Sequence, residues 1–293
     1  MHRYLRSVGF SKVTKRRQMQ EIIYDIVDHY DEKYAVEDYE DGIFQEYVKY
    51  YGTDCGIAAC GQLDEEQKFH VEYYYPFFHG TGITTNEKIT VERHSDKESF
   101  AGGCDDLRIG ITLIFYLQNI IPYIRAKNTD CIPVKGTTLT LSALSVDGTI
   151  MMPIMKNEVV KERANRIKNS RNHLIQAARN GDEDAIESLT LEDMDMYSTL
   201  TRRIQREDIY SIVDTCFMPY GVECDQYSII AEILEYEKVK NFVTEEQIYR
   251  MKLLCNELVF DLCINEKDLL GEPEIGRRFK GVIWLQGYIN YPC

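Results

Sequence analysis

Residues 16–28 of the chain read RRQMQEIIYDIVD, and residues 202–214 read RRIQREDIYSIVD; the two stretches agree at eight of thirteen positions. Ordinary composition would match about one position in twenty by chance. Self-similarity of this kind constrains a fold strongly, because each copy has to build the same unit. Weaker echoes follow in the same order. Tyr51-Gly52-Thr53-Asp54-Cys55 resembles Tyr220-Gly221-Val222-Glu223-Cys224, and Asn86-Glu87 corresponds to Asn256-Glu257. Tyr116-Leu117-Gln118-Asn119 likewise corresponds to Trp284-Leu285-Gln286-Gly287. The offsets of these three pairs are 169, 170 and 168, against 186 for the first block, which one insertion after Asp28 explains.

The pattern inside each copy predicts a helix followed by strands. Ile23, Ile26, Val27 and Tyr30 recur at helical spacing, as do Ile209, Ile212, Val213 and Phe217, with Pro219 ending the second helix. Period-two alternation marks strands at Phe69–Tyr75 and Ile109–Leu117 in the first copy. In the second it marks Tyr227–Ile233, Tyr249–Leu253, Leu258–Ile264 and Phe279–Leu285. The expected fold class is α+β, a tandem duplication of an α-β-β-β-β unit with antiparallel sheets. Residues 1–119 form the first repeat, 120–196 a connector and 197–293 the second repeat. Within the first repeat an acidic insertion at 29–50 reads as helix, with Phe44, Tyr47, Val48 and Tyr51 on one face and Gly52 as the stop. The connector reads as a hairpin, Thr137–Ser145 and Thr149–Met155 around Asp147-Gly148, and then two helices separated by Gly181-Asp182.

Composition narrows the function classes. A hydrophobic fraction of 44% and only seven prolines exclude a largely disordered chain. The formal charge of −14 repels nucleic acid and anionic lipid at long range. The longest apolar stretch, Ile109 to Ile124, is broken by Gln118, Asn119 and Pro122, so no membrane span is expected. Nine cysteines without a CxxC pair, and no signal-peptide run after Met1, point to free thiols in the cytoplasm.

Motifs for catalysis are missing. No HExxH or zinc-spaced His/Cys set occurs, and there is no GxSxG elbow, P-loop or GxGxxG. Eight acids lie between Asp28 and Glu46, but an EF-hand frame on Gly42 puts Tyr39 and Val48 at ligand positions. These acids therefore read as a solvated face, and His79-Gly80-Thr81-Gly82 reads as a loop between strands. No cofactor or metal is expected. The sharpest site candidate is Arg277, Arg278 and Lys280, set between Gly276 and Gly281, where arginine forks suit an anion or a partner's carboxylate. A secondary candidate is the basic face Lys161, Arg163 and Lys168 of the expected connector helix.

The opening MHRYLRSVGFSK and the closing GEPEIGRRFKGVIWLQGYINY resemble those of a family of uncharacterised clostridial proteins, a domain of unknown function. That resemblance implies a bacterial cytoplasmic setting and no activity. A fused duplication imitates a two-fold dimer and creates a groove between its copies. The expectation is accordingly a non-enzymatic binding or scaffolding protein that holds another protein in a pseudo-two-fold groove. The alternative is a small-molecule or nucleotide-binding protein, possibly an enzyme, with an anionic ligand near Arg277, Arg278 and Lys280.

Overall fold

A computed structural model describes residues 1–38, 42–64, 66–93, 100–106, 108–128, 136–154, 173–175, 177–178, 181–204 and 208–292. The chain divides into two compact units, Met1–Met151 together with Thr215–Cys293, and Met152–Asp214.

In the larger unit, five strands close into a barrel: β8 (Thr138–Met151), β10 (Gln226–Lys240), β11 (Gln247–Cys255), β12 (Leu258–Asn265) and β14 (Arg278–Asn290). β10, β11 and β12 form an antiparallel meander, β8 runs parallel to β12, and β14 pairs with both β10 and β8 to complete the ring. Closure leaves few free edges. Ala231, Ile233, Met251, Leu253, Leu262, Phe279 and Ile283 are 0–1% exposed. Fully burying a side chain of this size stabilises the fold by about 1.5–3 kcal/mol.

β14 also pairs in parallel with β7 (Ile111–Leu117), through Gln286↔Tyr116 and Gly287↔Leu117. From there β6 (Phe100–Asp106) and β5 (Ile89–Arg93) extend the sheet. A separate antiparallel sheet holds β1 (Glu32–Asp38), β2 (Gly42–Gly52), β3 (Cys55–Leu63) and β4 (Phe69–Phe78), in that order. Helix α1 (Arg16–Asp28) lies on β2 and β3, with Met19 and Ile26 buried. Helix α2 (Ile120–Asn128) follows β7 and buries Ile120, Ile121 and Ile124.

This architecture overturns the α+β duplication. The strands of the first half divide between two sheets, β4 in one and β7 in the other, whereas those of the second half close a barrel with β8. The helical echo holds in α1, whereas in the other half Arg202–Ile204 end a long helix and Ile209–Ile212 form a separate single turn. The echo between Gln118 and Gln286 comes from neighbouring parallel strands rather than superposable copies: the two side chains hydrogen-bond at 2.9 Å. Local pattern sets helical period and strand alternation, but which strand edges meet is a non-local choice.

Segment 29–50 is the β1–β2 pair rather than a helix, in register from Glu32↔Val48 to Asp38↔Gly42. Phe44, Tyr47, Val48 and Tyr51 do follow helical spacing, but β2 is buried on both faces, and aromatic and β-branched residues favour such a strand. The expected hairpin at Asp147-Gly148 is also absent, because β8 runs straight through it. Gly148 serves close packing there: a Cβ would lie 2.4 Å from the Phe279 ring. The connector boundaries move accordingly, since α2 and β8 belong to the larger unit.

In the smaller unit, α3 (Glu183–Ile204) begins where Ala185 N–H donates to the Asp182 carboxylate at 3.1 Å, and it runs through the expected boundary at 196. Most of the expected basic helix at 157–180, including Lys161, Arg163 and Lys168, lies outside the described residues.

Two buried amides join the sheets. Gln286, 0% exposed, donates to Pro76 O and accepts from Phe78 N–H at 3.1 Å, while Gln118 donates to Phe78 O at 2.9 Å. Replacing one by an apolar residue strands several buried partners, at about 1–3 kcal/mol each. Gln286→Leu is therefore expected to lose at least about 2 kcal/mol in urea denaturation; an unchanged midpoint would show that the joint contributes nothing.

Candidate functional site

The register of β1 on β2 sets Tyr34 opposite Glu46 and Glu32 opposite Val48, so that these four, with Tyr50, share one face of the small sheet. Tyr75 and Phe77 of β4 continue that face, and His79 and Gly80 follow where the strand ends. Against them stand Gln118, Asn119 and Pro122 at the start of α2, Thr140 of β8, and Tyr288 and Asn290 of β14. The space between is a cavity of about 340 Å³.

Hydrogen bonds tie the polar groups of this cavity into two sets. Glu32 accepts from Tyr34 O–H at 2.6 Å and from Tyr50 O–H at 3.3 Å, and the Tyr50 hydroxyl also lies 3.3 Å from His79 Nδ1. Burial pushes the His79 pKa down, which favours a neutral ring stacked 4.6 Å from Phe77. Burial, and then the nearby Glu32 carboxylate, push the Tyr34 and Tyr50 phenols up, so both remain donors.

The second set centres on Glu46, 3% exposed. Tyr75 Oη lies 2.6 Å from Glu46 Oε1 and 2.9 Å from the Gln118 carbonyl oxygen. One phenol proton cannot serve both acceptors. If Glu46 carries a proton, it donates to Tyr75, Tyr75 donates to Gln118 O, and both contacts of the phenol are matched. Burial acts in the same direction and pushes the Glu46 pKa up to about 7, against the opposing hydrogen bonds from Tyr75 and Cys60. Glu32 and Tyr34 (β1), Cys60 (β3), Tyr73 and Tyr75 (β4), Tyr116 (β7) and Tyr288 (β14) are the titratable groups around it.

One buried atom of Gln118 has no partner. Gln118, 4% exposed, directs its Nε2 to Phe78 O, Ser142 Oγ and Gln286 Oε1. Two of these acceptors are carbonyl oxygens, which settles the amide orientation, and Oε1 is left buried without a donor.

The residues singled out from sequence lie elsewhere. Arg277 pairs with Glu274 at 2.9 Å and donates to Glu272 O at 2.9 Å. Arg278 is 5% exposed and sits in register with Glu232, and Lys280 is half-buried in register with Ile230. None of the three lines the cavity. Conversely, Glu32 and Glu46 come from the stretch read as a solvated acidic face, and His79-Gly80 from the loop given no role. The alternation Glu46-Val48-Tyr50, polar at one end of a face otherwise apolar and aromatic, was the available signal. Among the described residues no cluster of His, Cys, Asp and Glu suits a metal ion.

Fold and site together define a class: a closed five-stranded barrel joined to a second sheet, with a carboxyl-bearing aromatic cavity at the joint. The chain belongs to the family of proteins of unknown function described from an E. rectale gene, DUF3881, whose model matches residues 5–287. No curated protein and no solved structure matches the chain. No helix among the described residues is long and apolar enough to cross a membrane.

The raised Glu46 pKa has a definite consequence for stability. Between pH 4.5, the ordinary value, and about pH 7, the folded chain keeps a proton that the unfolded chain has released. The stability contributed by Glu46 is complete below that window and falls as pH rises through it, by about 3 kcal/mol in total. Urea denaturation at pH 5 and pH 8 is expected to show Glu46→Gln gaining on the wild type at pH 8 by roughly that amount. Parallel pH profiles for the two proteins would rule out a neutral Glu46.

Proposed function

We propose that the chain is a binding protein whose ligand is a small polar molecule held in the cavity between the β1–β4 sheet and the β7, β8 and β14 strands. The carrying observation is the make-up of the cavity wall, where two carboxyl groups, a histidine and several phenols stand beside aromatic faces. A volume of about 340 Å³ with mixed aromatic and polar walls fits a small ligand.

This reading keeps the binding role expected from sequence and moves its place. The groove between two copies loses its premise with the duplication. An anion at Arg277, Arg278 and Lys280 has less support, because Arg277 is already engaged by Glu274 and the Glu272 carbonyl. The reading is tested by a fragment screen observed through backbone amide resonances, with Gly80 and Asn119 as reporters. Ligands are expected that shift both amides together. A broad library of sugars, acids, amines and nucleosides in which no compound moves either amide would overturn it.

A further inference from the structure

We infer that the cavity takes a small organic ammonium ion, an aliphatic amine or diamine; the inference rests on the cavity being a binding site and names the ligand's chemistry. What points to it is an excess of acceptors. None of the lining residues is Lys or Arg, and two are Glu.

The donors in the wall are largely engaged. The Tyr34 and Tyr50 hydroxyls donate to Glu32. The Tyr75 hydroxyl lies between Glu46 and Gln118 O. Asn119 Nδ2 donates to Ile289 O at 2.8 Å, and Asn290 Nδ2 to the Thr138 and Thr140 hydroxyls at 3.2 and 2.9 Å.

The acceptors are not exhausted. Glu46 meets Tyr75 and Cys60 through Oε1 alone, and each Glu32 oxygen accepts from one phenol and has a further lone pair. A primary ammonium brings three N–H donors, no acceptor and a positive charge, the complement of such a wall. Its alkyl chain and charge suit aromatic faces, to which cations are attracted within about 6 Å. An anion would meet Glu32 with no lining cation to offset the repulsion, and a neutral polyol would bring hydroxyl acceptors as well as donors.

Three compounds of one shape isolate the charge: butane-1,4-diamine, butane-1,4-diol and butanedioate. Each is titrated into the full chain at 0.15 M salt, with the Gly80 and Asn119 amides followed by NMR. The diamine is expected to move both amides and to bind at least about tenfold more tightly than the diol, a difference of about 1.4 kcal/mol. Glu32→Gln, at the partly exposed rim, is expected to weaken the diamine by at least about tenfold with its thermal midpoint unchanged. If Glu32→Gln lowers that midpoint, the diamine-to-diol ratio in the wild-type chain alone decides. Equal or stronger binding of the diol or butanedioate overturns the ammonium assignment and leaves the cavity reading intact. Diamine binding that spares both amides, or insensitivity to a folded Glu32→Gln, also overturns it. Silence from all three overturns it too, and the broad fragment screen then decides the cavity reading separately.

Discussion

The buried contact between Gln118 and Gln286 is what holds the larger unit in its present form. Gln118 just past the end of β7 and Gln286 within the parallel β14 bond to each other at 2.9 Å, and then reach Pro76 and Phe78 of the other sheet. An aliphatic pair would bury comparable area but leave the carbonyls of Pro76 and Phe78 and the N–H of Phe78 unmatched. The joint therefore specifies how the four-stranded sheet meets the barrel seam. Asn119, bonded both ways to the Ile289 backbone, continues that specification by one residue into α2.

The cavity is a by-product of that joint. Tyr75 and Phe77 of β4 face the seam because Pro76 and Phe78, on the alternate face, are tied to the glutamines. The same register carries Glu46 to the bottom of the space, where water is scarce and a phenol is the nearest dipole. The cost of desolvating its charge pushes the pKa of a carboxyl group in that position up to about 7. Glu32, only partly buried, accepts from two phenols.

The barrel accounts for the position of β14. Its early residues pair with β10, its late residues with β7, and β8 flanks it throughout. Gly148 and Gly281 face each other on β8 and β14, each giving up a side chain so that the Phe279 ring can enter. A strand with three neighbours has to bend, and small residues at the crossing permit it. Arg278 and Lys280 lie on the alternate face of that same strand, in register with Met151 and Thr149 of β8.

Much of the secondary structure was legible in the sequence, because it depends on near neighbours. The alternations at Phe69–Tyr75, Ile109–Leu117 and through the second half all correspond to strands, and Ile26 marks the buried face of α1. The thiols described, from Cys55 to Cys263, are free, in line with their spacing. Helical and extended readings competed at 29–50, where apolar residues satisfy both periods, and only burial on two faces decides for the strand. The Gln118 and Gln286 motifs were visible as an echo, but their meaning was not: a repeated tetrapeptide looks the same whether its copies superpose or bond side by side. Pairing of strand edges, closure of the barrel through β8 and the depth of Glu46 all depend on residues far apart in the chain. Such contacts arise from the competition of whole packing arrangements, so only the tertiary structure could set them.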